Sequence, residues 1–370
     1  MRKLCRRVIY PAIFILIFTF LVQRIAWVVQ AYGTEEGDPD RRNCLFFTLP
    51  QNTVDCLFLG TSHVYCSYIP KNIYDETGIS SASVATSSQS YQNSYWVLKE
   101  VFQYQSPKVV VLDIHSITTA VDEQVQNFRL HYSSGISIIP DISLTKLSAY
   151  RDIKNIHYGW SDQMTVYDAY ALIEYKSEYN RQHQSLRELG NLLFDPANEY
   201  STFGYYPATT VYPIERLQAS VTSDQYVNLY DTVEFQYLEK IYELIRQKDA
   251  ELLLTRAPYT TELDDHQLYQ QVFAWAEQEK IPIVDYFDLI EQLRINLDMD
   301  FRDADHLNYL GAEKATEYMA DYLQTNYAFT DHRGDKKYKL WEENTFDYKE
   351  IRQEVIYNCL LYTSDAADDK

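Results

Sequence analysis

Glycine is scarce in this sequence, with ten residues in 370. A loop that cradles phosphate needs glycines after a strand so that backbone N–H groups can close on the anion. No candidate strand is followed by such a loop, so nucleotide chemistry is not expected. Metal ligands are equally thin. The eight histidines are scattered, no His-Glu-x-x-His occurs, and the five cysteines have no zinc spacing. Acidic clusters such as Asp298-Met299-Asp300 lack the glycine and terminal glutamate of a calcium loop. No metal or other cofactor is expected. Positive charge is short as well: 33 Lys and Arg against 53 Asp and Glu leave a net charge of -20. Such a chain repels phosphate backbones and flat anionic lipid surfaces, so nucleic acid is not an expected partner.

What is abundant is tyrosine, at 34 residues. Clusters such as Tyr205-Tyr206-Pro207, with Tyr200 and Phe203 upstream, suit either stacking on sugar rings or ordinary packing with a polar tip. The other concentration is apolar. Val8 to Val22 is nearly uninterrupted, and the run resumes after Gln23-Arg24 as Ile25-Ala26-Trp27-Val28-Val29. Arg2, Lys3, Arg6 and Arg7 precede it, while Glu35, Glu36, Asp38 and Asp40 follow. Residues 1–31 therefore read as one transmembrane anchor at the cell membrane, with the amino terminus inside and the rest extracytoplasmic. A cleaved signal peptide ending near Ala31 is the competing reading. The cysteines fit that compartment as free thiols; Cys44 and Cys66 have no spacing signature that demands a bridge.

Residues 32–52 read as a juxtamembrane linker. From 53 to 330 the pattern alternates strand and helix. Candidate strands are Val54 to Leu59, Ile79 to Val84, Lys108 to Ile114, Ala250 to Thr255 and Ile281 to Val284. Helical spacing marks Tyr95 to Phe102, Leu238 to Ile245, Val272 to Ala276 and Tyr309 to Asn326. Alternation of this kind predicts a parallel sheet with helices on both faces, a three-layer α/β/α domain. Residues 116–231 break the rhythm and read as a tyrosine-rich insertion above the sheet. The charged extension 331–358 is expected to trail outside the core. Residues 359–370 resemble translated adapter read-through and are set aside as a non-native tail.

Two short motifs carry chemistry. Ser62 follows the first strand in Leu59-Gly60-Thr61-Ser62-His63, at the carboxyl edge of the sheet, where sites of open α/β folds lie. Near the end of the pattern stands Asp303-Ala304-Asp305-His306. Asp-x-x-His sets a carboxylate where it can orient the imidazole that deprotonates a serine, so Ser62, His306 and Asp303 are the candidate nucleophile, base and acid. Asp305 is the rival acid. The plain alternatives are a helix-capping serine and a surface histidine at a helix start. Asn308 is expected to shape the loop or cap the helix, and Gly311 to permit close packing. His63 ranks below His306, as a residue turned into packing or solvent.

These blocks, extended through Leu307-Asn308-Tyr309-Leu310-Gly311-Ala312, resemble the first and last blocks of the SGNH/GDSL hydrolase superfamily. The nearest likeness is to its membrane-anchored, extracytoplasmic members, such as the lipoteichoic acid D-alanyl transfer protein and alginate O-acetyltransferases. The resemblance runs from about Asp55 to Tyr327. It implies a flavodoxin-like strand order 2-1-3-4-5 and an esterase or O-acyltransferase of the cell envelope. Its implied partners are an acylated glycan or polymer and a membrane-bound acyltransferase. Two departures concern the oxyanion hole. The family's second-block glycine is Ala85 here, and its Gly-x-Asn-Asp block has no counterpart in Val110-Val111-Leu112-Asp113-Ile114-His115-Ser116. The expected donors are the N–H groups of Ser62 and Ala85 and the side chain of Gln89 or Asn93, while His115 is read either as a donor in place of the missing asparagine or as a structural hydrogen-bonding residue. The same departures motivate the alternative of a catalytically inactive binding or assembly subunit.

Overall fold

The run from Lys108 to Ile114 is β-branched and apolar without alternation, which suits a strand covered on both faces. A computed structural model describes residues 2–31, 43–120, 136, 138–140, 143–156, 197, 200–214, 227–258, 263–344 and 346–368. Residues 32–42 of the expected linker, and much of the insertion expected over 116–231, lie outside the described residues; residues 43–49 are not a linker, since Cys44, Leu45, Phe46, Phe47 and Leu49 are buried in the core.

In chain order the elements are α1 (Arg2–Ala31), β1 (Cys56–Gly60), α2 (Ser62–Ser67), α3 (Pro70–Thr77), β2 (Ser81–Ala85), α4 (Tyr91–Tyr104), β3 (Val109–Asp113) and α5 (Leu144–Ile156). They continue as α6 (Val233–Gln247), β4 (Glu251–Arg256), α7 (Leu263–Glu279), β5 (Ile283–Asp285), α8 (Tyr286–Leu289), α9 (Tyr309–Asn326), α10 (Lys339–Glu342) and α11 (Tyr348–Asp368). The five strands form one parallel sheet in the order β2-β1-β3-β4-β5, the order expected above. Each strand begins one or two residues later than expected, four end one residue later and β3 ends one residue earlier; for β1 and β2 the reason is specific. Val54 and Ile79 are buried but precede the ladder, while pairing continues into Gly60 and Ala85, whose small side chains carry little hydropathy signal.

Alternate strand residues face alternate layers. Leu57, Leu59, Val110, Leu112, Leu252 and Leu254 pack with α4, α6 and α7 through Val97, Leu98, Leu238, Ile241, Val272 and Trp275. Cys56, Phe58, Val109, Val111 and Leu253 pack with α2, α3 and α9 through Val64, Ile73, Ala315, Met319 and Leu323. Each fully buried aliphatic side chain in these layers stabilises the fold by about 1.5–3 kcal/mol. Cys44, Cys56, Cys66 and Cys359 are buried thiols without disulfides, as expected.

The expectation for the charged extension is corrected. The extension after 331 does not trail outside the core. Trp341 is fully buried, its ring lies on Phe203 with centroids 4.7 Å apart, and its Nε1–H donates to the Ser81 carbonyl at 2.9 Å. Val355 and Cys359 of α11 are buried too, against Ile69, Tyr205 and Tyr309. A single tryptophan in a charged stretch docks the segment on the open edge of β2, which would otherwise expose unpaired backbone groups. Among the described residues no helix is long and apolar enough to cross a membrane, so the expected transmembrane helix gains no support from the fold. α1 does expose Ile9, Phe14, Leu16, Phe18, Phe20 and Leu21.

Candidate active site

β1 lies between β2 and β3, so the chain leaves the sheet in opposite directions on its two sides. The crevice at this switch point is where ligands of such sheets bind. Ser62 opens α2 on one side of it. The turn that presents it is tight: Gly60 has φ +151°, and a Cβ there would sit 2.5 Å from Asp113 Cβ and 3.0 Å from Val64 Cγ2. Only glycine combines that backbone with that approach. Thr61 caps α2, its hydroxyl accepting from the His63 N–H at 3.3 Å. The Val64 N–H is taken by the Thr61 carbonyl at 3.0 Å. Among the described residues the Ser62 N–H has no acceptor, as an oxyanion contact would require.

The loop before α9 brings the other two residues. Asn308 is fully buried; its amide donates to the carbonyls of Met299 (2.7 Å), Phe301 (3.2 Å) and Thr210 (3.2 Å), and its oxygen caps the N–H groups of Leu310 and Gly311. Gly311 lies so close to this loop that a Cβ would meet the Asp300 carbonyl at 2.4 Å. α9 is then tied to the end of α2: the Ile69 N–H donates to Thr316 Oγ1 at 3.0 Å, and that hydroxyl donates to the Ser67 carbonyl at 3.2 Å. Two helices far apart in sequence are thereby held in register.

Ser62 Oγ–H donates to His306 Nε2 at 2.7 Å, and His306 Nδ1–H donates to Asp303 Oδ1 at 2.8 Å. The tautomer follows from Asp303, which can only accept. The same Asp303 oxygen accepts the N–H groups of His306 (2.8 Å) and Asp305 (2.9 Å), and Oδ2 faces Arg302 Nε at 3.2 Å. Partial burial alone would raise the Asp303 pKa, but the His306 hydrogen bond and these donors hold it below the usual carboxylate range. Asp305 is more exposed than Asp303. Arg302 lies flat over Tyr206 with 4.6 Å to the ring centroid, at the rim of the crevice.

The expected oxyanion donors fare less well. Ala85 pairs with Gly60 at the end of β2, but its polar groups face away from Ser62. Its carbonyl accepts from Asn43 Nδ2 at 2.5 Å, on the outer edge where the Ser83 carbonyl accepts from Tyr200 and the Ser83 N–H donates to Phe203. In an extended strand the N–H and C=O of one residue point to the same side. The Ala85 N–H therefore faces that outer edge, and Thr86 is the residue that donates to Gly60. Gln89 is fully buried in the turn after β2; its oxygen accepts from Thr86 Oγ1 at 3.1 Å and its amide donates to Ser94 Oγ at 2.9 Å. It shapes that turn, in which Ser88 adopts φ +49°. Asn93 is buried in the first turn of α4. Tyr200, Phe203 and Tyr205 are packed inside, so they form no sugar platform; Tyr206 alone of that cluster reaches the crevice.

His115 does reach the site, at the end of β3. Its Nδ1 pairs with the Tyr269 hydroxyl at 3.1 Å, and burial holds its pKa down to about 3, with the nearby His306 adding to the effect. His63 turns neither to solvent nor away. It is 3% exposed, stacks on His306 with centroids 5.0 Å apart, and meets His115 edge-on with centroids 4.1 Å apart. Burial, then repulsion from His115 and His306, keeps it well below the ordinary histidine range. The sequence reading also passed over Asp113, which accepts from both the Thr61 and the His115 turns. A carboxylate ending an otherwise apolar strand at the switch point was the available signal.

No family model matches this sequence, and no curated protein matches it. Two solved structures superpose on it loosely. One is a protein described as lipolytic, of the G-D-S-L family, from Desulfitobacterium hafniense DCB-2, with 11% identity, TM-score 0.37, and 73% of this chain and 99% of that chain covered. The other, described as an acylhydrolase, is from Bacteroides fragilis NCTC 9343, with 10% identity, TM-score 0.37, and 79% and 99% covered. Agreement this loose says nothing of what the present chain acts on.

Proposed function

We propose that this chain is a serine esterase or O-acyltransferase of the SGNH/GDSL type. The observation that carries this reading is the unbroken relay from Ser62 through His306 to Asp303, at 2.7 and 2.8 Å, at the switch-point crevice. Ser62 Oγ attacks an acyl carbon while His306 Nε2 takes its proton. Asp303 stabilises the imidazolium through Nδ1–H. His306 then protonates the departing alcohol, and the acyl group rests on Ser62. Water, or an acceptor hydroxyl activated by the same imidazole, removes it. The Ser62 N–H is the donor proposed for the oxyanion, with His115 beside it.

The proposed setting is extracytoplasmic, with α1 as a single-pass tether. The basic residues before the apolar run and the acidic residues after it support this orientation. An acylated cell-envelope polysaccharide or polymer is the proposed substrate, and a membrane-bound acyltransferase the proposed partner; both rest on the block resemblance alone. Protease added to spheroplasts should digest the domain and spare a short membrane-bound fragment, whereas a soluble mature protein starting after Ala31 would replace the tether with a cleaved signal.

The chemistry is tested by incubating the folded chain with a fluorophosphonate and mapping the adduct by mass spectrometry. Labelling at Ser62 that is lost in His306→Ala is expected. A folded protein that takes no label and turns over no ester would favour the inactive assembly-subunit reading.

A further inference from the structure

Beneath the crevice lies a carboxylate that the acyl-transfer steps leave unused. Asp113 ends β3, is 1% exposed, and has no cation within bonding distance among the described residues. Its Oδ2 accepts the Thr61 hydroxyl at 2.5 Å and, more weakly, the Thr61 N–H at 3.4 Å. Its Oδ1 accepts the His115 N–H at 3.0 Å. Two turns that diverge on opposite sides of the switch point, one presenting Ser62 and the other His115, are thus joined by a single side chain. Gly60 exists in its glycine form to let this carboxylate approach, since a Cβ there would overlap Asp113 Cβ.

We propose that Asp113 is a positioning residue for the reaction at Ser62, clamping the nucleophile turn to the His115 turn and facing the catalytic imidazole with a second buried negative charge. This rests on the acyl-transfer reading above. Burying a carboxylate without a cation is costly, and a purely structural clamp would be met as well by a neutral group. Burial raises its pKa to about 6, against the lowering effect of the Thr61 and His115 donors and of His306. The groups that face it from the surrounding elements are His306 before α9, His115 after β3, Tyr68 after α2, Tyr91 on α4 and Tyr269 on α7. The three tyrosines are held above their ordinary range, first of all by burial, and stay neutral. Asp113 is thus the negative member of the set.

Asn at this position keeps the shape but offers one acceptor. Its amide can donate to the Thr61 hydroxyl, yet it then opposes the Thr61 N–H, and the charge is gone. The test is the rate of Ser62 labelling by a fluorophosphonate in the full chain, measured from pH 5 to 8 for wild type, Asp113→Asn, Thr61→Val and Thr61→Ser. Asp113→Asn and Thr61→Val should slow labelling about 10- to 100-fold at pH 8, the scale set by a small displacement of a reacting group. Thr61→Ser, which keeps the hydroxyl, should stay near wild type. Below pH 6 the wild-type rate should fall with one proton more than that of Asp113→Asn. A wild-type rate and wild-type pH profile in folded Asp113→Asn would overturn the proposal. If that variant does not fold, Thr61→Val decides: labelling at the wild-type rate overturns the clamp. Failure of the wild type to label at all would sink the acyl-transfer reading and this inference with it.

Discussion

Two carboxylates stand at the carboxyl edge of the same sheet, and their surroundings differ sharply. Asp285, ending β5, holds Arg256 of β4 with two hydrogen bonds of 2.8 and 2.6 Å. The guanidinium is 2% exposed and packed among the rings of Tyr269, Phe273 and Phe287. Asp113, two strands away, has only neutral donors. Burial pushes both carboxyls above their usual range, but Asp285 has a cation against it. The β4–β5 edge is thus built as a closed ion pair, which fixes structure. The β1–β3 crevice keeps a buried carboxylate without a cation and the buried, uncharged imidazoles of His63 and His115 close to Ser62. That contrast fits the acyl transfer proposed for this edge.

The largest expected effect tests the crevice. Asp303→Asn keeps the shape but loses the charge that stabilises imidazolium and favours the wrong tautomer. Turnover of a simple ester should fall by about 10⁴, with an unchanged melting temperature. Asp305→Asn, which touches neither ring nitrogen, should stay within about threefold, well under 1 kcal/mol of transition-state stabilisation. If Asp305→Asn proves the more damaging change, the acid is misassigned.

The opposite pattern is expected at the ion pair. Arg256→Met removes the cation and leaves Asp285 partly buried and unpaired, so unfolding should cost about 3–5 kcal/mol less, read from urea titration. Ester turnover per folded molecule should change far less than in Asp303→Asn. A variant as stable as the wild type would mean that the pair is not the structural element its geometry suggests. Trp341→Ala should destabilise on a similar scale, about 3–5 kcal/mol, by emptying the pocket on Phe203 and orphaning the Ser81 carbonyl. A melting temperature equal to wild type would return the segment to the role of a loose tail.

How far the sequence revealed this contrast depended on what each pattern reports. The parallel sheet and the Ser62–His306–Asp303 trio were legible because apolar strand runs and two short motifs carry them, whereas the strand order came with the block resemblance alone. Hydropathy reports burial, not the direction of an N–H, so Ala85 read as a donor although its backbone faces the outer edge of β2. The charge of 331–350 hid Trp341, since one aromatic carries no period. His63 was misplaced because the residue after a helix-starting serine has no fixed face until its neighbours are known. Asp113 closed an apolar run and drew no attention, since nothing in one sequence tells a strand-ending carboxylate from a clamp between two turns.

Stability against pH gives the smallest but most discriminating test. The folded pKa of Asp113 is raised to about 6, so its contribution to stability is fully present below its ordinary value near 4 and is lost as pH rises through 6. His63 and His115 are held down; their contribution is present above about 6.5 and is lost as pH falls. Between pH 6 and 4 His115 costs up to about 1.4 kcal/mol per pH unit and Asp113 returns about as much, so the two offset each other. The wild type should therefore lose stability on acidification from these groups through His63. Comparing it with Asp113→Asn cancels the histidines and every other group common to both. The variant should be more stable by up to about 3 kcal/mol at pH 8, with the difference vanishing near pH 4. Urea denaturation at pH 8, 6 and 4.5 measures it. A difference that stays flat with pH would show that Asp113 is not the uncompensated charge that sets the crevice apart from the ion pair two strands away.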